Sequence, residues 1–187
     1  MAVQVPRVTW QDSDGDGVRE PHLMITEAAV DIIHFPVFLP PQSLTIYHRF
    51  YDPVGSGSAP AGATLFQLGA DPGIAVWMAS GKWQAFHYNG SSSVSSAATV
   101  VTTATDLVEH RITLAANGSI QLHQSIDGAT EASGAASGAL ALAAAWSASK
   151  LQLGASTAGA SHSSVLHRAL LVARGTRSRD ECREWLP

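Results

Sequence analysis

Residues 11–20, QDSDGDGVRE, set Asp12, Asp14 and Asp16 at every second position and break them with Gly15 and Gly17. Calcium takes roughly six to eight oxygen ligands, and a calcium loop supplies carboxylates at its first, third and fifth positions before a glycine at the sharp turn. The three aspartates fill those positions, Gly17 fills the turn, Val18 follows as a carbonyl donor, and Glu20 stands where a direct or water-mediated ligand falls. The closing bidentate carboxylate is missing, because its position is Leu23. Asp12, Asp14, Asp16 and Glu20 thus form half of a calcium site. The competing reading is a solvated Asp-Gly turn between a strand in VPRVTW and one in HLMITE.

Other residue types offer chemistry without fixing it. Trp77 and Trp83 flank the Ser80-Gly81 turn, and a flat ring on an open sheet face stacks on the apolar face of a pyranose. The same two tryptophans serve equally as core or interface residues. His48, His110 and His123 lie on strands that can adjoin, yet no His-x-His, His-x-x-x-His or nearby cysteine gives the spacing of a zinc site. Cys182 stands alone in SRDECREWLP with no neighbouring histidine, which excludes an intramolecular disulfide and argues against a catalytic thiol.

The elements that must position these residues are mostly strands. In HRITLAANGSIQLHQSIDG, residues 110–128, apolar and polar residues alternate on both sides of Asn117-Gly118, the pattern of a hairpin closed by a two-residue turn. Further strands are expected at 43–51, 63–69, 73–80, 82–89, 98–103, 150–156 and 164–173, with 54–62 and 90–97 as loops. One short helix is expected over Ser178–Trp185, with Ser178 as N-cap and Glu181 as its capping-box partner. Residues 132–149 are uncharged over about the length of a membrane span, but Gly and Ser dilute them, and a tightly packed loop and strand is the better reading.

Composition narrows the partners. The net charge is −4, and the two lysines, Lys82 and Lys150, provide no basic stripe for a phosphate backbone, so nucleic acid is not expected as a partner. Acidic residues crowd the first part, Asp12 to Asp31, and arginines crowd the end, Arg168 to Arg183; these groups can pair within the fold or between subunits. The start, MAVQVPRVTW, shows no charged segment followed by an apolar run, so no signal peptide is expected.

The order SLTIYHRFY, LFQLG, GIAVWMASGKWQAFHYNG, VEHRITLAANGSIQLHQSIDG, LQLGAS and ALLVARGTRSRDECREWL resembles the concanavalin A-like, laminin-G-like jelly roll. HLMITEAAVDII with LPPQSLTIYHRF, and ALALAAAWSASKLQLGAS, resemble segments of such domains in tailed-phage and prophage structural proteins. The resemblance implies an all-β, antiparallel two-sheet jelly-roll sandwich over 40–187 with a short C-terminal helix, preceded by an entry segment and attachment arm over 1–39. It further implies a non-enzymatic virion protein, assembled in the host cytoplasm and bound to capsid or tail proteins as a homo-oligomer. The alternative it leaves open is a lectin-like module for a host surface glycan. Jelly-roll glucanases carry a Glu-x-Asp-x-x-Glu strand, which this chain lacks: Glu109 precedes HRITL, and Glu131 lies in a Gly and Ala tract.

Overall fold

A computed structural model describes residues 7–11, 20–24, 43–53, 55–59, 61–69, 73–104, 106–143, 151–154 and 165–185. In chain order its elements are β1 (Arg7–Gln11), β2 (Glu20–Met24), β3 (Leu44–Asp52), β4 (Thr64–Gly69), β5 (Gly73–Ala79), β6 (Lys82–Tyr88), β7 (Ser93–Ala97), β8 (Asp106–Leu114), β9 (Ile120–Ile126), β10 (Ala132–Ser133), β11 (Leu151–Leu153), β12 (Leu166–Arg174) and α1 (Arg179–Glu184). They form two antiparallel sheets, one ordered β1-β2-β12-β3-β8-β9-β10 and the other β11-β4-β5-β6-β7.

Alternation decides which side chains face inward. From β3, Leu44, Ile46 and Phe50 enter the core, and from β8 Val108, Ile112 and Leu114 do so; β5 and β6 oppose them with Ile74, Val76, Met78, Trp83 and Ala85. Phe50 and Trp83 meet edge to face across the two sheets, ring centroids 5.9 Å apart. Fully burying one such large side chain stabilises a fold by roughly 1.5–3 kcal/mol, so this interlayer is where the sandwich is held.

The first strands are part of the same architecture. β1 pairs with β2 from Arg7↔Met24 to Gln11↔Glu20, and β2 joins the sheet through Leu166↔Met24 and His167↔Leu23. The expected arm therefore contributes a hairpin to the larger sheet. β12 also carries a register shift between His167 and Ala169 against β3.

Three local expectations are corrected. Residues 98–103 are not a strand: Thr102 accepts a hydrogen bond from Ser56 N and donates from its hydroxyl to Asp52 Oδ2 at 2.7 Å, and these side-chain bonds draw the segment off the ladder. The strand lies in the expected loop 90–97, as β7, where Ser93 and Ser95 face outward and Ser96 Oγ donates to Ala135 O at 2.7 Å. The turn after β8 holds three residues between Ala115 and Ser119, with Ala115 N donating to Ser119 O and only Gly118 at positive φ, 76°. α1 matches its expectation: Ser178 caps it, and the Glu181 carboxylate accepts from Ser178 N at 2.7 Å.

The first part of the Gly, Ala and Ser tract is an extended strap along the seam between the sheets. Gly134 N donates to Leu122 O, Ser137 N to Ile120 O and Leu140 N to Asn117 O. A Cβ on Gly134 would stand 2.1 Å from Ala97 O, so the seam admits only the smallest residue there.

Candidate functional site

The two tryptophans proposed for sugar stacking lie on opposite faces of one sheet. Trp83 is 1% exposed and packs against Phe50 and His110. Its glycan-stacking role is thereby corrected: alternation along β6 sends Trp83, Ala85 and His87 inward, and no face of the indole is left for a ligand. Trp77, one residue before the Met78 that pairs with Trp83, faces outward and is half-buried.

Phe86 and Tyr88 join Trp77 on that outward face. Trp77 and Phe86 stack with centroids 4.0 Å apart, and Tyr88 lies 5.7 Å from Trp77 and 6.2 Å from Phe86. Register explains the cluster, because Ala75 pairs with Phe86, Gly73 with Tyr88 and Trp77 with Gln84. Small Gly73 and Ala75 on β5 leave room for the large rings of β6. The neighbouring outward positions are neutral and polar: Gln67 opposite Ala75, and Ser95 and Ser93 opposite Phe86 and Tyr88. Phe86 stacks on the Trp77 indole, and Tyr88 lies tilted against it. The alternation in KWQAFHY was the sequence signal for Phe86 and Tyr88.

Asp12, Asp14 and Asp16 lie outside the described residues, and Glu20 opens β2 opposite Gln11. Leu23, the position at which a calcium loop needs its closing carboxylate, pairs with Val8 and His167 inside the sheet. Among the described residues no group of three or more His, Cys, Asp or Glu side chains can hold a metal ion.

The outer face of the larger sheet carries charge that is internally matched. Glu109, 2% exposed, faces Arg49 at 3.3 Å and accepts from Arg179 Nε and Arg183 Nη2 at 2.8 Å each. Burial raises its carboxyl, but the hydrogen bonds from Arg183 and Arg179 outweigh that and hold it below the usual carboxylate range. Arg111 binds both oxygens of Glu131 and donates to Arg177 O. Arg179 and Arg183 therefore pair within the fold, with a carboxylate of β8. Cys182 is buried beside them, and burial pushes its thiol up.

Of the three histidines considered from sequence, His48 and His110 pair in register and are fully buried. His123 is on the outer face, with Nδ1 2.7 Å from Ser133 Oγ. The inward partner of His48 is His167, its Nδ1 2.8 Å from His48 Nε2. Sequence alternation hid this pair, because the β12 irregularity next to His167 shifts the strand's parity.

No family model and no curated protein matches the chain. Among solved structures it is similar to the LG1-3 region of the laminin alpha2 chain, with TM-score 0.59 and 11% identity over 80% of this chain and 30% of that one. It is also similar to domains LG4-5 of the mouse laminin alpha1 chain, with TM-score 0.51 and 12% identity over 76% of this chain and 36% of that one. A carbohydrate esterase from the Shiga toxin-encoding bacteriophage phi24B aligns at TM-score 0.49 and 16% identity, over 92% of this chain and 89% of that one. The chain thus spans about a third of the length of the two laminin regions it matches. What it shares with them is the fold, a jelly-roll sandwich of two antiparallel sheets similar to that of laminin G domains.

Proposed function

We propose that this chain is a non-enzymatic structural subunit of a tailed-phage particle, of the capsid-decoration, head-fibre or tail-fibre kind, that docks on the particle and displays its sandwich. The observation that carries the non-catalytic reading is the internal engagement of its buried carboxylates. Glu109 is held by Arg49, Arg179 and Arg183, and Asp52 accepts from Gly55 N and the Thr102 hydroxyl. Groups fixed in this way position backbone and helix and are not poised to exchange protons with a substrate.

The phage placement rests on the resemblance of segment order. Docking through the N-terminal region fits the topology, because among the described strands β1 is the outermost of its sheet and an edge strand offers backbone donors and acceptors to a partner. Deletion of residues 1–10 is expected to abolish incorporation into purified particles, scored by quantitative mass spectrometry. Wild-type incorporation of the truncated chain would overturn the docking mode. Repetitive particle subunits favour symmetric homo-oligomers, which light scattering on the isolated protein tests.

The outward ring cluster favours a second reading, recognition of a neutral host surface glycan, since Trp77, Phe86 and Tyr88 are bordered by amides and hydroxyls. On a glycan array the wild-type domain should bind saturably and Trp77→Ala should bind at least about tenfold more weakly, the loss of one stacking contact of ~1.4 kcal/mol or more. No saturable binding, or binding indifferent to Trp77, removes this reading and leaves the architectural one.

A further inference from the structure

We propose that His48, His110 and His167 form an acid-sensitive latch at the junction where the larger sheet receives its N-terminal hairpin, releasing β1, β2 and the start of β12 as pH falls. The three rings lie inside the sandwich on adjacent strands. His48 Nε2 and His167 Nδ1 are 2.8 Å apart, and their rings stack at 4.9 Å with 22° between planes. A bond between two imidazoles needs one N–H and one bare nitrogen. Protonating both rings sets N–H against N–H and places two cations face to face.

Among the described residues the surroundings offer no free counter-charge. His48 stacks on Phe50 at 5.0 Å and meets the edge of Phe66 at 5.8 Å. His110 meets Phe50 at 5.1 Å and Trp83 at 6.3 Å, and its polar neighbour is Gln124, Nε2 to Nε2 at 3.4 Å. Asp52 shares the inward face of β3 beyond Phe50, but its carboxylate is held by Gly55 N and Thr102 Oγ1. Glu109 and Arg49 are on the opposite face of the same strands. Among the described residues β4, β6, β9 and β12 therefore bring Phe66, Trp83, Gln124 and Leu170 to the cluster and no further ionised group.

Location makes this cluster a latch. His167, like Leu166 before it, pairs with both β2, at Leu23, and β3, at Phe50, and it adjoins the register shift. Burial pushes His110 and His167 down to about 3, and burial, with repulsion from His167 and His110, holds His48 well below the ordinary 6.5. In the opened state His167, and His48 once its ring partner has left, take a proton near 6.5, while His110 stays packed in β8 as a buried neutral neighbour; between there and about 3 the opened state therefore binds more protons, and the closed state weakens as pH falls. Each ring released contributes up to about tenfold in the opening constant per pH unit.

Hydrogen exchange from pH 7.5 down to 5, corrected for intrinsic rates, tests this. Amides of 7–11, 20–24 and 165–170 should lose protection about tenfold or more per pH unit below 6.5, while 106–126 stays protected; His167→Gln, uncharged at every pH, should flatten that slope. Loss of protection that is uniform along the chain, absent, or unchanged in slope in His167→Gln overturns the latch. Should that variant not fold, nitrogen chemical shifts of the wild-type imidazoles decide: neutral His48 and His167 at pH 5.5 in the closed protein uphold it, and imidazolium with intact 165–170 protection overturns it.

Discussion

Glu109 shows how a single side chain ties an element to the sheet. Its two oxygens receive Arg183 at 2.8 and 3.0 Å and Arg179 at 2.8 Å, so one β8 carboxylate clamps both ends of α1. Breaking a buried ion pair from one side leaves the partner charges unmatched. Glu109→Gln should lower the free energy of unfolding in urea by about 2–4 kcal/mol, moderated by the partial exposure of Arg183, and should speed labelling of Cys182 by a thiol reagent as the helix loosens. Because the Glu109 carboxyl is held below its ordinary 4.5, its contribution is present above that pH and lost as pH falls below it, so the mutant's deficit should shrink in acid. The pairing partner of the C-terminal arginines was not legible in the sequence, where the acidic N-terminal stretch looked equally available. Register across β3, β8 and β9 decides it.

Strands and turns were more legible than single contacts, because alternation and turn chemistry are local. The β8–β9 hairpin follows directly from Ile112, Leu114, Ile120 and Leu122 around a glycine. Its tightness is tertiary, however: the strap passes so close that a Cβ on Gly118 would stand 1.6 Å from Leu140 O, and Gly118 already sits at φ 76°. Its carbonyl also lies 2.7 Å from His87 Nδ1. Gly118→Ala should therefore cost about 2–4 kcal/mol, more than an unfavourable backbone conformation alone, because the strap must shift as well. Thermal melting would show this as a large drop in Tm, and exchange should rise selectively over residues 134–141. The strand expected at 98–103 failed for a related reason: β-branched residues signalled a ladder, but the hydroxyl of Thr102 bonded to Asp52 and Ser56 instead.

At the scale of the molecule, strands distant in sequence are joined edge to edge, as when β3 pairs with β12 along its length. Among the described residues the N-terminal strands are attached differently, through two residue pairs between β2 and β12. Removing residues 1–10 should accordingly leave one cooperative unfolding transition, by circular dichroism, with Tm close to that of the full chain. A broad or strongly lowered transition would mean that the hairpin is integral to the core. This result also gives meaning to particle incorporation, since only a folded truncated chain tests docking.

Composition and alternation alone determined that this chain is an antiparallel sandwich with a capped C-terminal helix, because period-two burial, turn residues and a capping box act over a few neighbouring residues. Tertiary structure decided which tryptophan faces out, which arginines hold Glu109 and which histidine meets His48. Each of those depends on strand register or on an irregularity that reverses a face, and register is set by the packing of segments more than a hundred residues apart, such as His48 and His167.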